Sequence, residues 1–170
     1  RIMFDPLSMY HPKFTDTTAT YTMLHQSEEH ELGIIEINLP QQFTSLIVVR
    51  TGDLVKTISG DFRKIVDWKL SPDQKHIAIY SSDGHDWQSE EYYQSDNLEI
   101  YHLEQLLEVK TYTDEELNLL HSTILSYHWV DHDTLEYVVP DVEEPSYPKL
   151  FVNWMHADNQ PTKTLQIKFE

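Results

Sequence analysis

The feature that most constrains this chain is a recurring order of short β-prone runs, each pair separated by a tight polar turn. Runs rich in β-branched and aromatic residues fall at 19–24 (ATYTML), 32–38 (LGIIEIN), 46–50 (LIVVR) and 54–58 (LVKTI). They continue at 65–70 (IVDWKL), 76–81 (HIAIYS), 98–103 (LEIYHL) and 107–112 (LEVKTY). The last set is 124–130 (ILSYHWV), 134–139 (TLEYVV), 149–154 (KLFVNW) and 164–169 (TLQIKF). Each run is too short for a typical helix and is bounded by Gly, Pro, Asp, Asn or Ser, the pattern of strands joined by turns. In 76–81, Ile77 and Ile79 alternate with Ala78 and Tyr80, as expected of a strand packed on both faces.

Grouping the runs gives three units of strand, turn, strand, longer loop, strand, turn, strand: 19–58, 65–112 and 124–169. The second and third superpose on Trp68 and Trp129. A repeat of four short strands predicts a single mainly β domain of about three propeller-type blades, each typically ~40–45 residues. One short helix is expected near 113–121, where Thr113-Asp114-Glu115-Glu116 forms a capping box. Closed propellers normally have at least ~4 blades. Three units are therefore expected to stay open, to pair with a second copy, or to belong to a larger ring.

The second unit carries a family resemblance. Asp67-Trp68-Lys69-Leu70-Ser71-Pro72-Asp73-Gln74-Lys75-His76-Ile77-Ala78-Ile79-Tyr80-Ser81 resembles the W-S-P-D-G-K-x-I-A-F repeat of TolB-type, WD-like β-propellers. Asn97-Leu98-Glu99-Ile100-Tyr101-His102-Leu103-Glu104 is similar to the I-Y-x-x-D-L-E strand of the same blade. Gln74 stands where the family prefers Gly, and Leu106-Leu107 replaces its usual Thr-Gly turn. The resemblance implies a blade over 64–113 and a weaker one around Trp129. It implies no catalytic residue, because the repeat is a turn-and-strand device.

Charge narrows the function classes. Twelve basic residues against twenty-nine acidic ones give a formal charge of -17. Such a surface repels phosphate backbones and anionic head groups, so neither nucleic acid nor a membrane surface is an expected partner. No apolar run approaches the ~20 residues of a membrane span, which points to a soluble chain. The sequence has no cysteine, which removes disulfides and thiolate chemistry but is compatible with cytosolic and secreted chains alike. It opens at Arg1-Ile2-Met3 without a charged-then-apolar leader, so no signal peptide is expected. A start at Arg is expected of a mature form or of one domain of a longer protein.

The candidate binding element is the loop after 76–81, with Asp83, His85, Asp86, Trp87, Glu90, Glu91, Tyr92 and Tyr93. A long aromatic loop in a repeat of tight turns is suited to a protein or peptide partner, since interfaces favour Trp and Tyr anchors. Its acids supply some of the oxygens calcium wants, without the calcium-loop pattern of alternating acids before a Gly. His128 and His132 are expected to lie ~13 Å apart on an extended strand, too far for one ion, so no metal site is assigned. No cofactor is expected. The sequence holds no G-x-S-x-G, P-loop, G-x-G-x-x-G or H-E-x-x-H pattern. The expected function is a non-enzymatic interaction module. The alternatives are the non-catalytic propeller portion of a larger hydrolase or peptidase, or a cation- or small-molecule-binding protein.

Overall fold

A computed structural model of the chain describes residues 20–38, 45–59, 64–82, 96–112, 124–142 and 153–169. They form three antiparallel sheets. The first contains β1 (Thr20–Ser27), β2 (Leu32–Asn38), β3 (Ser45–Thr51) and β4 (Leu54–Ser59), hydrogen-bonded in chain order. The second contains β5 (Lys64–Leu70), β6 (His76–Ser82), β7 (Asp96–His102) and β8 (Leu107–Tyr112), again in chain order. The third has β9 (Ser126–Trp129), β10 (Thr134–Pro140) and β11 (Thr162–Lys168), with β10 central. The predicted helix near 113–121 lies outside the described residues.

The second sheet is sandwiched by the other two. Ile77 and Ile79 of β6 point toward the first sheet, where they pack with Ile34, Ile47 and Val49 in one apolar cluster. Ala78 of β6 faces the other way, with Leu98 and Ile100, and meets Tyr127, Leu135, Tyr137, Val139 and Ile167 of the third sheet. The period-2 side-chain direction of a strand makes this possible, and both sets are almost fully buried. A β-bulge adjusts β5 to the same geometry. Register passes from Ile65↔Ser81 to Asp67↔Tyr80, leaving Val66 unpaired and exposed. The extra residue lets Ile65, Trp68 and Leu70 share the face toward the first sheet.

The two tryptophans aligned in sequence play equivalent roles. Trp68, on the first strand of the second sheet, packs against the cluster shared with the first sheet and lies 6.3 Å from the His25 ring. Trp129, on the first strand of the third sheet, packs against the cluster shared with the second, and its Nε1 donates to the Lys69 carbonyl at 3.1 Å. Lys69 reaches back, donating from Nζ to the Tyr127 carbonyl at 2.6 Å while lying 4.3 Å from the Tyr127 ring centroid. Burial first, and the neighbouring Asp67 carboxylate second, push the Tyr127 phenol far above its ordinary range.

The third unit departs in part from expectation. Among the described residues β10 pairs directly with β11, from Thr134↔Lys168 to Pro140↔Thr162. Of the expected strand 149–154, residues 149–152 lie outside the described residues, and residues 153–156 form one helical turn. Local polar bonds favour that turn: Trp154 Nε1 donates to the Pro161 carbonyl at 2.7 Å, and Gln160 Nε2 donates to the Met155 carbonyl at 2.8 Å. The final run suits its place beside β10. Leu165, Ile167 and Phe169 form a strictly alternating apolar face directed at the second sheet.

Candidate functional site

The sequence-predicted loop residues Asp83, His85, Asp86, Trp87, Glu90, Glu91, Tyr92 and Tyr93 lie outside the described residues. Its two anchors are described. Ser82↔Asp96 and Ser81↔Asn97 close the β6–β7 ladder beneath it, and all four residues are buried. Asp96, 1% exposed, accepts at Oδ2 from the Tyr80 hydroxyl at 2.8 Å and from the Ile124 N–H at 2.7 Å. One carboxylate thus ties the loop base of the second sheet to the entry of the third. His128 and His132 take separate carboxylates: His128 Nε2 lies 3.6 Å from Glu136 Oε1, and His132 Nε2 lies 3.9 Å from Asp133 Oδ2.

At the opposite end of the sheets the hairpin turns gather. The Ser71–Lys75 turn owes its shape to the Ser-Pro-Asp sequence. The Ser71 hydroxyl donates to Asp73 Oδ1 at 2.7 Å and accepts from the His76 N–H at 3.0 Å, and the Gln74 N–H donates to the Ser71 carbonyl at 2.9 Å. Asx and Ser bonding of this kind is what these residues do in turns. Burial works against the Asp73 charge, but the Ser71 hydroxyl, the Lys75 N–H and the nearby His76 and His132 outweigh it, holding the carboxyl below its usual range. Neighbouring turns are stitched together: the Gly52 N–H donates to the Glu31 carbonyl at 3.1 Å, and the Leu103 N–H to the Lys75 carbonyl at 2.7 Å.

Between these two stitched pairs of turns runs a cleft of about 160 Å³, lined by His30, Leu32, Thr51, Asp73, Gln74, Lys75, Leu103 and Glu104. It joins the turn ends of the first and second sheets. Two polar atoms of its lining residues, Thr51 Oγ1 and Gln74 Oε1, are buried without a hydrogen-bond partner. Gln74 also holds a left-handed backbone at φ 57°, a conformation that favours glycine. Leu106, in the turn between β7 and β8, is likewise left-handed at φ 46°. Its side chain is buried in the cluster between the first two sheets, so packing offsets the backbone cost there.

Behind this turn, toward the third sheet, is an imidazole–aromatic cluster. The His76 ring lies 5.0 Å from His102, 6.0 Å from Trp129 and 5.8 Å from Phe169 between centroids. Burial first, and the facing His102 second, hold the His76 imidazole below its ordinary value. Among the described residues, no group of three or more His, Asp or Glu side chains is arranged to hold a metal ion, and no helix is long and apolar enough to cross a membrane.

Sequence reasoning passed over the cleft. Its one local signal was Gln74 standing in place of Gly. Nothing local indicates that the turns at 28–31 and 51–54 meet those at 71–75 and 103–106 around it, because that approach crosses between two sheets. No protein-family model, curated protein or solved structure matches the chain.

Proposed function

We propose that the chain is a non-enzymatic interaction module of propeller-type blades that recognises a protein or peptide at the ends of its sheets. The blade reading draws support from consecutive meanders stacked face to face, the second and third each entered by a strand whose Trp packs against the cluster shared with the preceding sheet. The stack is open. The outer face of the third sheet presents Glu136, Gln166, His128 and Lys168, with Gln166 Nε2 donating to Glu136 Oε2 at 2.9 Å. A polar face of that kind favours termination in solvent over a ring completed by a second copy.

The observation that carries the functional reading is the turn-end cleft. At about 160 Å³ it is smaller than the ~300–1,000 Å³ of pockets that enclose small-molecule ligands. It is walled by hairpin turns held by backbone bonds, which makes it a socket for one side chain of a larger partner. Selection of a displayed peptide library on the immobilised full chain, followed by calorimetry, tests the reading. An enriched sequence motif with saturable 1:1 binding is expected, and a selection that enriches nothing counts against it. Replacing Trp87, Tyr92 and Tyr93 together by alanine separates a partner held by the aromatic loop from one held at the turn end.

A further inference from the structure

Gln74 carries two independent costs. Its left-handed backbone, at φ 57°, is unfavourable for any residue with a Cβ. Its buried Oε1 has no hydrogen-bond partner, an arrangement native proteins rarely tolerate without a reason. Both costs fall on a residue that lines the cleft, and backbone strain of this kind concentrates at ligand-binding positions.

The rest of the cleft fits one kind of occupant. Thr51 contributes a second unpartnered buried oxygen, Oγ1, and a threonine hydroxyl can accept as well as donate. Asp73 adds a carboxylate whose ionised form is favoured by the Ser71 hydroxyl and the Lys75 N–H. Leu32 and Leu103, 1% and 2% exposed, supply apolar wall. The one lysine of the lining does not serve these acceptors: Lys75 Nζ lies 3.9 Å from Glu104 Oε1, with both side chains more than half exposed. A carboxylate, an apolar wall and two unpartnered oxygens buried on residues of the same lining describe a socket for a positively charged donor on an aliphatic stem.

We propose that this cleft receives a cationic side chain, an arginine guanidinium or a lysine ammonium, presented by a peptide or protein partner. The proposal rests on the interaction-module reading and adds the chemistry of the group recognised. A formal charge of -17 raises the local concentration of such a partner and speeds its encounter.

The test titrates the full chain with acetyl-Ala-Arg-Ala-amide, its lysine counterpart, and the citrulline counterpart, an uncharged near-isostere of arginine. Amide chemical shifts provide the readout. The arginine or lysine peptide is expected to shift the amides of Thr51, Gln74 and Leu103 saturably, with the citrulline peptide at least about tenfold weaker, the loss of a charge-assisted hydrogen bond. Gln74→Gly is expected to weaken the cationic peptide about tenfold while raising Tm by about 2–4 °C, because glycine relieves the left-handed position. A merely structural role for Gln74 would not move binding and stability in opposite directions. Thr51→Val provides a second variant, with the same loss of affinity expected. Equal binding of the citrulline peptide, or undiminished binding of the arginine and lysine peptides to both variants, overturns the proposal. Library-selected peptides that bind wild type and Gln74→Gly alike would leave the interaction module standing and remove only the cleft as its socket.

Discussion

The second and third sheets are built from similar hairpins, yet the second buries both faces and the third buries one. In β6 nearly every side chain is buried, Ile77 and Ile79 against the first sheet and Ala78 against the third. In β11 and the residue after it burial alternates, with Leu165, Ile167 and Phe169 turned inward and Thr164, Gln166 and Lys168 outward. The same backbone period thus serves two positions in a stack. A continuous apolar run marks an interior sheet, and an alternating one marks a sheet that ends the stack. The interfaces differ too. Between the first and second sheets the described contacts are largely aliphatic, whereas the second and third are also tied by Lys69, Trp129 and Asp96 hydrogen bonds.

The comparison breaks if core truncations in the two sheets cost the same. Ile79→Ala, at a site 1% exposed, is expected to lose about 3–4 kcal/mol in urea unfolding, the transfer cost plus a cavity that flanking sheets cannot collapse into. Leu165→Ala, half-buried on an edge strand, is expected to lose about 1–2 kcal/mol. Equal losses would mean that the third sheet is as enclosed as the second.

A somewhat smaller effect probes the polar tie between them. Asp96→Ala leaves the Tyr80 hydroxyl and the Ile124 N–H without their acceptor, and a loss of about 2–3 kcal/mol is expected. Asp96→Asn retains an acceptor oxygen and is expected to recover much of it. If alanine and asparagine behave alike in denaturant titrations, the bond to Ile124 does not hold the third sheet in place.

The smallest effect is the pH response of the turn where the sheets meet. The His76 imidazole is held below its ordinary value by burial and by His102, with Asp73 acting in the opposite direction and Lys75 in the same one. A base whose folded value is depressed stabilises fully above its unfolded value of ~6.5, and that contribution fades as pH falls through and below it. Asp73 is depressed as an acid, so its contribution persists down to its unfolded value of ~3.8 and is lost below that. Urea midpoints are therefore expected to decline in two stages on acidification. His76→Gln should flatten the upper stage alone; an unchanged profile would show that the imidazole cluster has no part in it.

Much of this architecture is legible in local sequence because strands, turns and two-faced burial are local properties. The Ile77–Tyr80 alternation, the Ser71-Pro72-Asp73 turn and the equivalence of Trp68 and Trp129 each follow from side-chain period or turn chemistry. The bulge at Val66 was not legible. Simple alternation puts Ile65 with Asp67, and only packing against the first sheet rewards the slip that brings Ile65 and Trp68 together. The helical turn at 153–156 takes in Asn153 and Trp154, the end of the run 149–154 expected as strand, because β-prone composition records propensity while local polar bonds set the turn.

The candidate site divides along the same line. Chain-local evidence was enough to mark an acidic, cysteine-free, mainly β chain and to single out Gln74 as a residue out of place in its turn. Only the stacking of sheets could make that residue matter. The cleft is assembled from turns at 28–31, 51–54, 71–75 and 103–106, and their approach depends on how aliphatic faces far apart in sequence pack together. Turn conformations are set by neighbouring residues; a socket between turns is set by the distance and angle at which two sheets come to rest.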